Sequence, residues 1–320
     1  MSTLYIDHTI ARIQREGESI ALHTREERRG NLPLRQIERV IIRGNVTLDS
    51  GLLAHLADSG IGILILGGRF GEKCATLHGS PHADAKRRLA QSRAYFDPEW
   101  RLHWSQRLTT LKLLSQQRLL QQAQRQRPDL RHPLLQGEKT LQQTAHQAPH
   151  AATLERLRGL EGAGAAAYFQ AYRQLFPASL HFTQRNRRPP RDPVNALLSL
   201  GYTLLHHDAE RAIQQAGLDP LIGFYHVPAY NRASLAADFI EPLRARFDRL
   251  AWTLFRERTL RLEHFAINAE GCLLDKTGRK IFYGHYEAWG RGVRRLLLRH
   301  AYRLTAQLLE RYPLEEDDAA

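Results

Sequence analysis

Near residue 85 the sequence changes its period, and that change limits the possible architectures more than any other feature. Up to about residue 80 the apolar residues alternate or fall in short blocks. Leu4 and Ile6 alternate with polar neighbours, Ile20 and Leu22 do the same, and Glu16-Gly17-Glu18 between them reads as a hairpin turn. Val40-Ile41-Ile42 and Ile61 to Leu66 read as buried strands, separated by a short helix around Ser50 to Asp58 with Leu52, Leu53 and Leu56 on one face. A polar stretch from Gly79 to Ala85, containing Pro81, leads into Lys86-Arg87-Arg88, after which glycine thins out and leucine, glutamine and arginine dominate. The expected fold class is α+β, with a β-rich domain over residues 1–85 and a larger α-helical domain over residues 86–320. At roughly 150 residues per domain, a chain of 320 residues favours two domains over one or three.

Within the helical part, Leu111, Leu114 and Leu119 mark a long helix that ends before Pro128, while the polar stretch from Gln136 to His150 reads as a loop. Asp192-Pro193 is a strong helix start: the Asp oxygen caps free N–H groups and proline's φ suits the first helical position. The run from Ala196 to Leu205 that follows is too apolar for a surface helix and is expected to form the buried centre of the domain. Glu315 to Asp318 form an acidic tail, expected to fray. No internal repeat is evident.

Forty-six Lys and Arg against 33 Asp and Glu give a formal charge of +13, which points to a polyanionic partner, nucleic acid first. Arg185, Arg187, Arg188 and Arg191 surround Pro189-Pro190. On the last helix Arg291, Arg295, Arg299 and Arg303 recur every fourth residue, with Val293, Leu297, His300 and Leu304 on an apolar face. Such a stripe follows a phosphate backbone or serves as an ordinary solvated face. Two cysteines, Cys74 and Cys272, exclude a disulfide framework and a zinc site of CxxC type. No apolar run approaches the ~18 residues of a membrane span, and the start, MSTLYIDHTIAR, lacks the pattern of a secretion signal. Cytoplasmic residence, without a membrane partner, is expected.

Gly162-Ala163-Gly164-Ala165-Ala166-Ala167 matches a dinucleotide fingerprint by letter, but helical spacing precedes it where a strand is required, so close packing explains the small residues better. Glu161, at the edge of this patch, either is buried and needs a cationic partner or is exposed and paired with Arg156 or Arg158. Asp238 and Glu241 are three apart on a helix that starts at Ser234, so one face of it could offer both to a hard cation; Pro242 brings a kink or local strain. His226 lies in a short loop between Gly223 and Pro228, where an imidazole can be aimed. Two carboxylates and an imidazole are the ligand mixture for Mn²⁺ or Mg²⁺ acting on phosphate esters.

Three blocks in this order resemble a known family, the CRISPR-associated endonuclease that serves as the universal spacer-acquisition integrase. They are Arg158-Gly159-Leu160-Glu161-Gly162 through Tyr168-Phe169; Arg188-Pro189-Pro190-Arg191-Asp192-Pro193-Val194-Asn195-Ala196-Leu197-Leu198-Ser199; and Gly223-Phe224-Tyr225-His226 with Ser234-Leu235-Ala236-Ala237-Asp238-Phe239-Ile240-Glu241. The resemblance covers essentially the whole chain. It implies an N-terminal β domain that dimerises and a helical catalytic domain whose Glu161, His226 and Glu241 bind Mg²⁺ or Mn²⁺, with Asp238 in support and Asn195 orienting a ligand or the DNA. Tyr225 departs from the pattern, since an aliphatic residue usually precedes the histidine. The implied task is insertion of foreign DNA fragments into a CRISPR array by attack of a 3′-hydroxyl on a phosphodiester, together with a small CRISPR-associated partner protein. A non-catalytic DNA-binding scaffold and an unrelated metal-dependent phosphodiesterase are the competing classes.

Overall fold

A computed structural model describes residues 2–7, 10–24, 27–68, 73–79, 82–186 and 189–314. The chain divides into two compact units, Met1–Ala83 and Asp84–Ala320. Arg187, Arg188, Pro81 and the acidic residues after Leu314 lie outside the described residues.

The first unit is built from β1 (Ser2–Asp7), β2 (Arg12–Glu16), β3 (Ser19–His23), β4 (Arg28–Pro33), β5 (Ile37–Arg43), β6 (Thr47–Leu48), α1 (Ser50–Asp58), β7 (Gly62–Gly67) and β8 (Lys73–Leu77). One four-stranded sheet has the order β1-β5-β7-β8 and the other β4-β3-β2-β6. The turn around Gly17 joins β2 to β3, with Glu16 opposite Ser19 and Gly17 at φ +57°, a conformation that glycine adopts at least cost. The strand carrying Leu4 and Ile6 is therefore not the partner of the strand carrying Ile20 and Leu22; β1 pairs in parallel with β5 instead. Helix α1 starts where the Asp49 side chain accepts the Leu52 N–H, and it buries Leu52 and Leu56. These join Ile6, Ile13, Ile20, Val40, Ile42 and Ile63 in one aliphatic core.

The second unit runs α2 (Lys86–Phe96), α3 (Pro98–Gln126), α4 (Arg131–Gln147), α5 (Leu154–Tyr172), α6 (Pro193–Gln215), α7 (Ser234–Arg256), β9 (Phe265–Asn268), β10 (Gly271–Leu274) and α8 (Lys276–Arg311). Helix α4 overturns the loop expected from Gln136 to His150. Leu134, Gly137, Leu141, Thr144 and Ala145 recur on one buried face, and glutamine, though polar, is a good helix former on the exposed face. The sequence pattern also missed the short antiparallel β9–β10 hairpin. Helix α6 begins at Pro193, capped by Asp192, and is buried along most of its length. Gly201 lets α7 approach it: a Cβ there would lie 1.8 Å from the Phe247 ring. Helix α7 continues through Pro242, whose missing N–H leaves one intrahelical bond unmade.

Candidate metal centre and nucleic-acid surfaces

Close helix packing brings the carboxylates together. Gly164 on α5 faces Leu113 of α3 so tightly that a Cβ would come within 2.4 Å of Leu113 Cδ2. Glu161, one turn earlier, thereby meets Lys112, whose ammonium ion-pairs with it. The same ammonium lies 2.6 Å from Glu241 Oε2 on α7. Glu161 thus has the cationic partner its surroundings call for; Arg158 pairs instead with Glu155 at 3.9 Å. Lys112 belongs to a buried polar column on α3 with Ser105, Thr109 and Gln116.

Glu241 is 5% exposed, and Arg244 Nε donates to its Oε1 at 2.9 Å. Its Oε2 has no hydrogen bond of acceptable geometry despite the nearby ammonium. Burial alone would raise the Glu241 carboxyl, but the charges of Arg244 and Lys112 outweigh it and hold the group well below the usual range. Burial disfavours the Lys112 ammonium, and the two glutamates, Glu241 foremost, overcome this and raise it. The Arg244 guanidinium also lies over the Tyr202 ring at 4.6 Å. Tyr202 and Tyr168 both donate to the carboxylate of Asp248, which burial pushes up to about 6.

His226 is aimed by Asp238. That fully buried carboxylate accepts the backbone N–H groups of Phe224, Tyr225 and His226, and faces His226 Nδ1 at 2.6 Å. Of the two carboxylates three apart on α7, Asp238 is taken up by the loop, and Glu241 reaches Lys112. With Nδ1 held, Nε2 has no hydrogen-bond partner among the described residues. Tyr225, the departure from the family pattern, donates from its hydroxyl to Glu161 Oε2 at 2.7 Å; burial and the charge of Glu161 raise its own pKa.

A hard divalent ion fits this chemistry. Glu241 contributes a buried oxygen without a hydrogen bond, Glu161 a second carboxylate, and His226 a ring whose other nitrogen is fixed by a carboxylate, as in metal-bound histidines generally. Among the described residues no three His, Cys, Asp or Glu side chains already stand in ligand geometry; the Lys112 ammonium is what bridges the glutamates.

The family model for CRISPR associated protein Cas1 matches residues 4–288. The chain belongs to the Cas1 family. It is 36% identical to CRISPR-associated endonuclease Cas1 1 of Thermodesulfovibrio yellowstonii, covering 99% of both chains. It is also 36% identical to CRISPR-associated endonuclease Cas1 3 of Thermus thermophilus, over 83% of this chain and 77% of that one. The fold is that of a CAS1 protein from Thermotoga maritima, with a TM-score of 0.84, 24% identity and 97% of each chain covered. A casposase solved with its integration product shares the fold as well, at a TM-score of 0.82 and 20% identity, over 98% of this chain and 92% of that one.

In this Cas1 family member, Asn195 is spent on the fold. Its side chain donates to Asp192 Oδ2 and to the Gln184 carbonyl and accepts from Arg185 and the Asn186 N–H. Arg185 is turned inward by the same clamp and lies over the Tyr202 ring at 5.6 Å. Arg191 is exposed and donates to the Ala269 carbonyl at 3.3 Å, while the Cys272 N–H donates to the Pro190 carbonyl, so the β9–β10 hairpin pins this segment. Arg291, Arg295, Arg299 and Arg303 are exposed on α8 above buried Val293, Leu297 and Leu304. His300 leaves that buried row and packs against the Phe239 ring, 4.7 Å between centroids; desolvation, then Arg107 and Arg303, lower its pKa. Arg303 joins Arg107, Arg118, Arg246 and Arg249 around a groove of about 820 Å³ between α3, α7 and α8, and no Asp or Glu among the described residues lines it. Sequence reasoning missed Lys112, Arg244 and the hydroxyl of Tyr225. Their only signal was a lysine in a leucine-rich helix face and an arginine three residues after Glu241.

Proposed function

We propose that this protein is a divalent-metal-dependent DNA endonuclease and integrase that inserts foreign DNA fragments into a CRISPR array. The observation that carries the reading is the convergence of Glu161 from α5 and Glu241 from α7 on one cation position, with the His226 ring oriented nearby by Asp238. Glu161, Glu241 and His226 Nε2 would hold Mg²⁺ or Mn²⁺. When bound, the ion supplies Lewis-acid stabilisation of charge building on the phosphoryl oxygens. In the joining reaction the 3′-oxygen of the incoming fragment forms a bond to an array phosphorus, the array's own 3′-oxygen leaves, and the proton lost by the attacking hydroxyl is returned to the leaving one. Cleavage is the same displacement with water attacking. Tyr225 fixes one oxygen of Glu161 and Arg244 one oxygen of Glu241, so each carboxylate presents its remaining oxygen in a set direction.

The arginines supply the DNA contacts in this reading: Arg191 beside the site, the row Arg291, Arg295, Arg299 and Arg303 on α8, and the groove that this row borders. Arg187 and Arg188 belong with them by sequence. The protein would work in the cytoplasm as a homodimer joined through its strand-rich unit, beside a small CRISPR-associated partner; no described helix is long and apolar enough to cross a membrane. A casposase bound to its integration product has the same fold, which agrees with strand joining.

The test is Glu161→Gln, His226→Ala and Glu241→Gln, assayed for cleavage and joining of branched array DNA in Mn²⁺ or Mg²⁺, with binding followed separately by fluorescence anisotropy. Each variant loses activity by at least a thousandfold and binds DNA within threefold of the parent; retained activity in all three overturns the assignment. Changing Arg295 and Arg299 together to Ala lowers the salt dependence of binding by up to about two ions, and light scattering gives twice the 36.7 kDa chain mass.

A further inference from the structure

We infer that Lys112 is a built-in counter-ion that occupies the catalytic carboxylates in the metal-free protein and competes with the metal for the same oxygens. The inference rests on the metal reading above and adds a residue and a direction to it. Lys112 Nζ lies 2.6 Å from Glu241 Oε2 and ion-pairs with Glu161 Oε1, the two oxygens that Arg244 and Tyr225 leave open. A divalent ion sits at roughly 2.0–2.2 Å from a carboxylate oxygen, so it and the ammonium cannot share that position. Without the lysine, two carboxylates held by buried helices would face one another with, among the described residues, only Arg244 in direct ion pairing, on one side. The lysine removes that repulsion while the site waits for its ion.

The helix that carries Lys112 also offers the ammonium somewhere to go. Thr109 and Gln116 lie three residues before it and four after it, on the same buried face of α3. Thr109 Oγ1 and Gln116 Oε1 are both buried without a hydrogen-bond partner. Buried polar atoms left unpaired are uncommon and costly, and the Gln116 oxygen, one turn beyond the buried lysine, offers a second berth. The carbonyl oxygen of Gln116 is an acceptor able to take the displaced ammonium. Lys112 is thus a positioning residue with two stations: the glutamates without metal, and Gln116 with metal bound.

The experiment is Mn²⁺ binding by isothermal titration calorimetry to the full-length protein, its Lys112→Met and Gln116→Leu variants, and Lys112→Gln should the methionine variant fold poorly. Thermal melts are taken with and without Mn²⁺. Loss of the lysine tightens the Mn²⁺ Kd about tenfold and lowers the metal-free melting temperature, and saturating Mn²⁺ closes most of that gap. Gln116→Leu acts in the opposite sense and weakens Mn²⁺ binding several-fold. A Kd for the lysine variants that is within threefold of the parent, or weaker, overturns the inference. If Mn²⁺ binds the parent and neither Glu161→Gln nor Glu241→Gln weakens it, the ion sits elsewhere; the site assignment itself then falls, and this inference with it.

Discussion

The strand-rich unit and the helical unit are stabilised by different physics. The core of the first consists of Ile, Leu and Val, and its buried charges among the described residues are two arginines of β5, Arg39 and Arg43. The helical unit buries Lys112, Asp192, Asp208, Asp238, Glu241, Asp248 and Arg294 among aromatic side chains such as Trp252, Tyr168, Tyr172 and Phe247. An aliphatic core gains stability from apolar area alone and is indifferent to pH. A core with buried charges holds only if every charge keeps its partners, and it gives up stability relative to an apolar equivalent. The helical unit accepts that cost where it must hold two carboxylates and an imidazole in fixed directions.

The largest effect that separates the two regions is expected from Glu241→Ala. It strips Lys112 and Arg244 of a shared carboxylate and lowers the stability of the helical unit by about 3–5 kcal/mol, the usual cost of breaking a buried ion pair from one side. All four tryptophans, Trp100, Trp104, Trp252 and Trp289, belong to this unit, so tryptophan fluorescence in urea reads it alone. Loss of amide protection in β5 of the same variant would break the distinction. Next is Ile42→Ala in the strand-rich core, expected to cost about 3 kcal/mol through transfer and cavity terms. Hydrogen exchange of β5 and β7 amides should show this loss equally at pH 5 and pH 8.

Asp248 should make the helical unit depend on pH. Burial pushes its carboxyl up to about 6, above the ordinary 3.8, so the folded protein binds that proton more readily than the unfolded chain. The penalty is fully present above about pH 6 and fades as pH falls toward 4, a gain of about 2 kcal/mol between pH 7.5 and 4.5. Asp248→Asn should remove that gain. Glu241 and His206 run oppositely: the Glu241 carboxyl is held low, so its contribution is present above about pH 4.5 and lost below it, and burial holds the His206 imidazole down to about 4, which costs stability as pH falls from about 6.5, so the Asp248 gain is read as the difference between the parent and Asp248→Asn above pH 4.5. A gain of the same size in Asp248→Asn would assign the pH dependence elsewhere. The smallest effect divides two glycines of α5. Gly162 is exposed, and a Cβ added there would meet nothing within 4 Å, so Gly162→Ala should stabilise by up to about 1 kcal/mol in thermal melts. Gly164→Ala should destabilise, because its Cβ would meet Leu113.

What was legible in the sequence was local. The period change near residue 85, the helix over Ser50 to Asp58, the Asp192-Pro193 start and the apolar centre of α6 each depend on neighbours a few residues apart, and the structure has them. Local cues mislead where they conflict or where the partner is distant. The polar face from Gln136 to His150 conceals Leu134, Leu141 and Ala145 at helical spacing, and β1 finds its partner in β5 rather than in the strand nearest along the chain.

The site divides in the same way. By itself the sequence supplied the residue types for a hard cation, Glu161, His226 and Glu241, through short motifs that each fit within a few turns of chain. Only tertiary packing decided that Asp238 would hold the histidine rather than join Glu241, and that Tyr225 would reach Glu161. It alone brought Lys112 to Glu161, 49 residues further along, and to Glu241 on yet another helix. The physical reason is that a side chain's type follows from its own position, whereas the partner of a buried charge depends on which helices pack together, and so on small residues such as Gly164 and Gly201 that set how close they come.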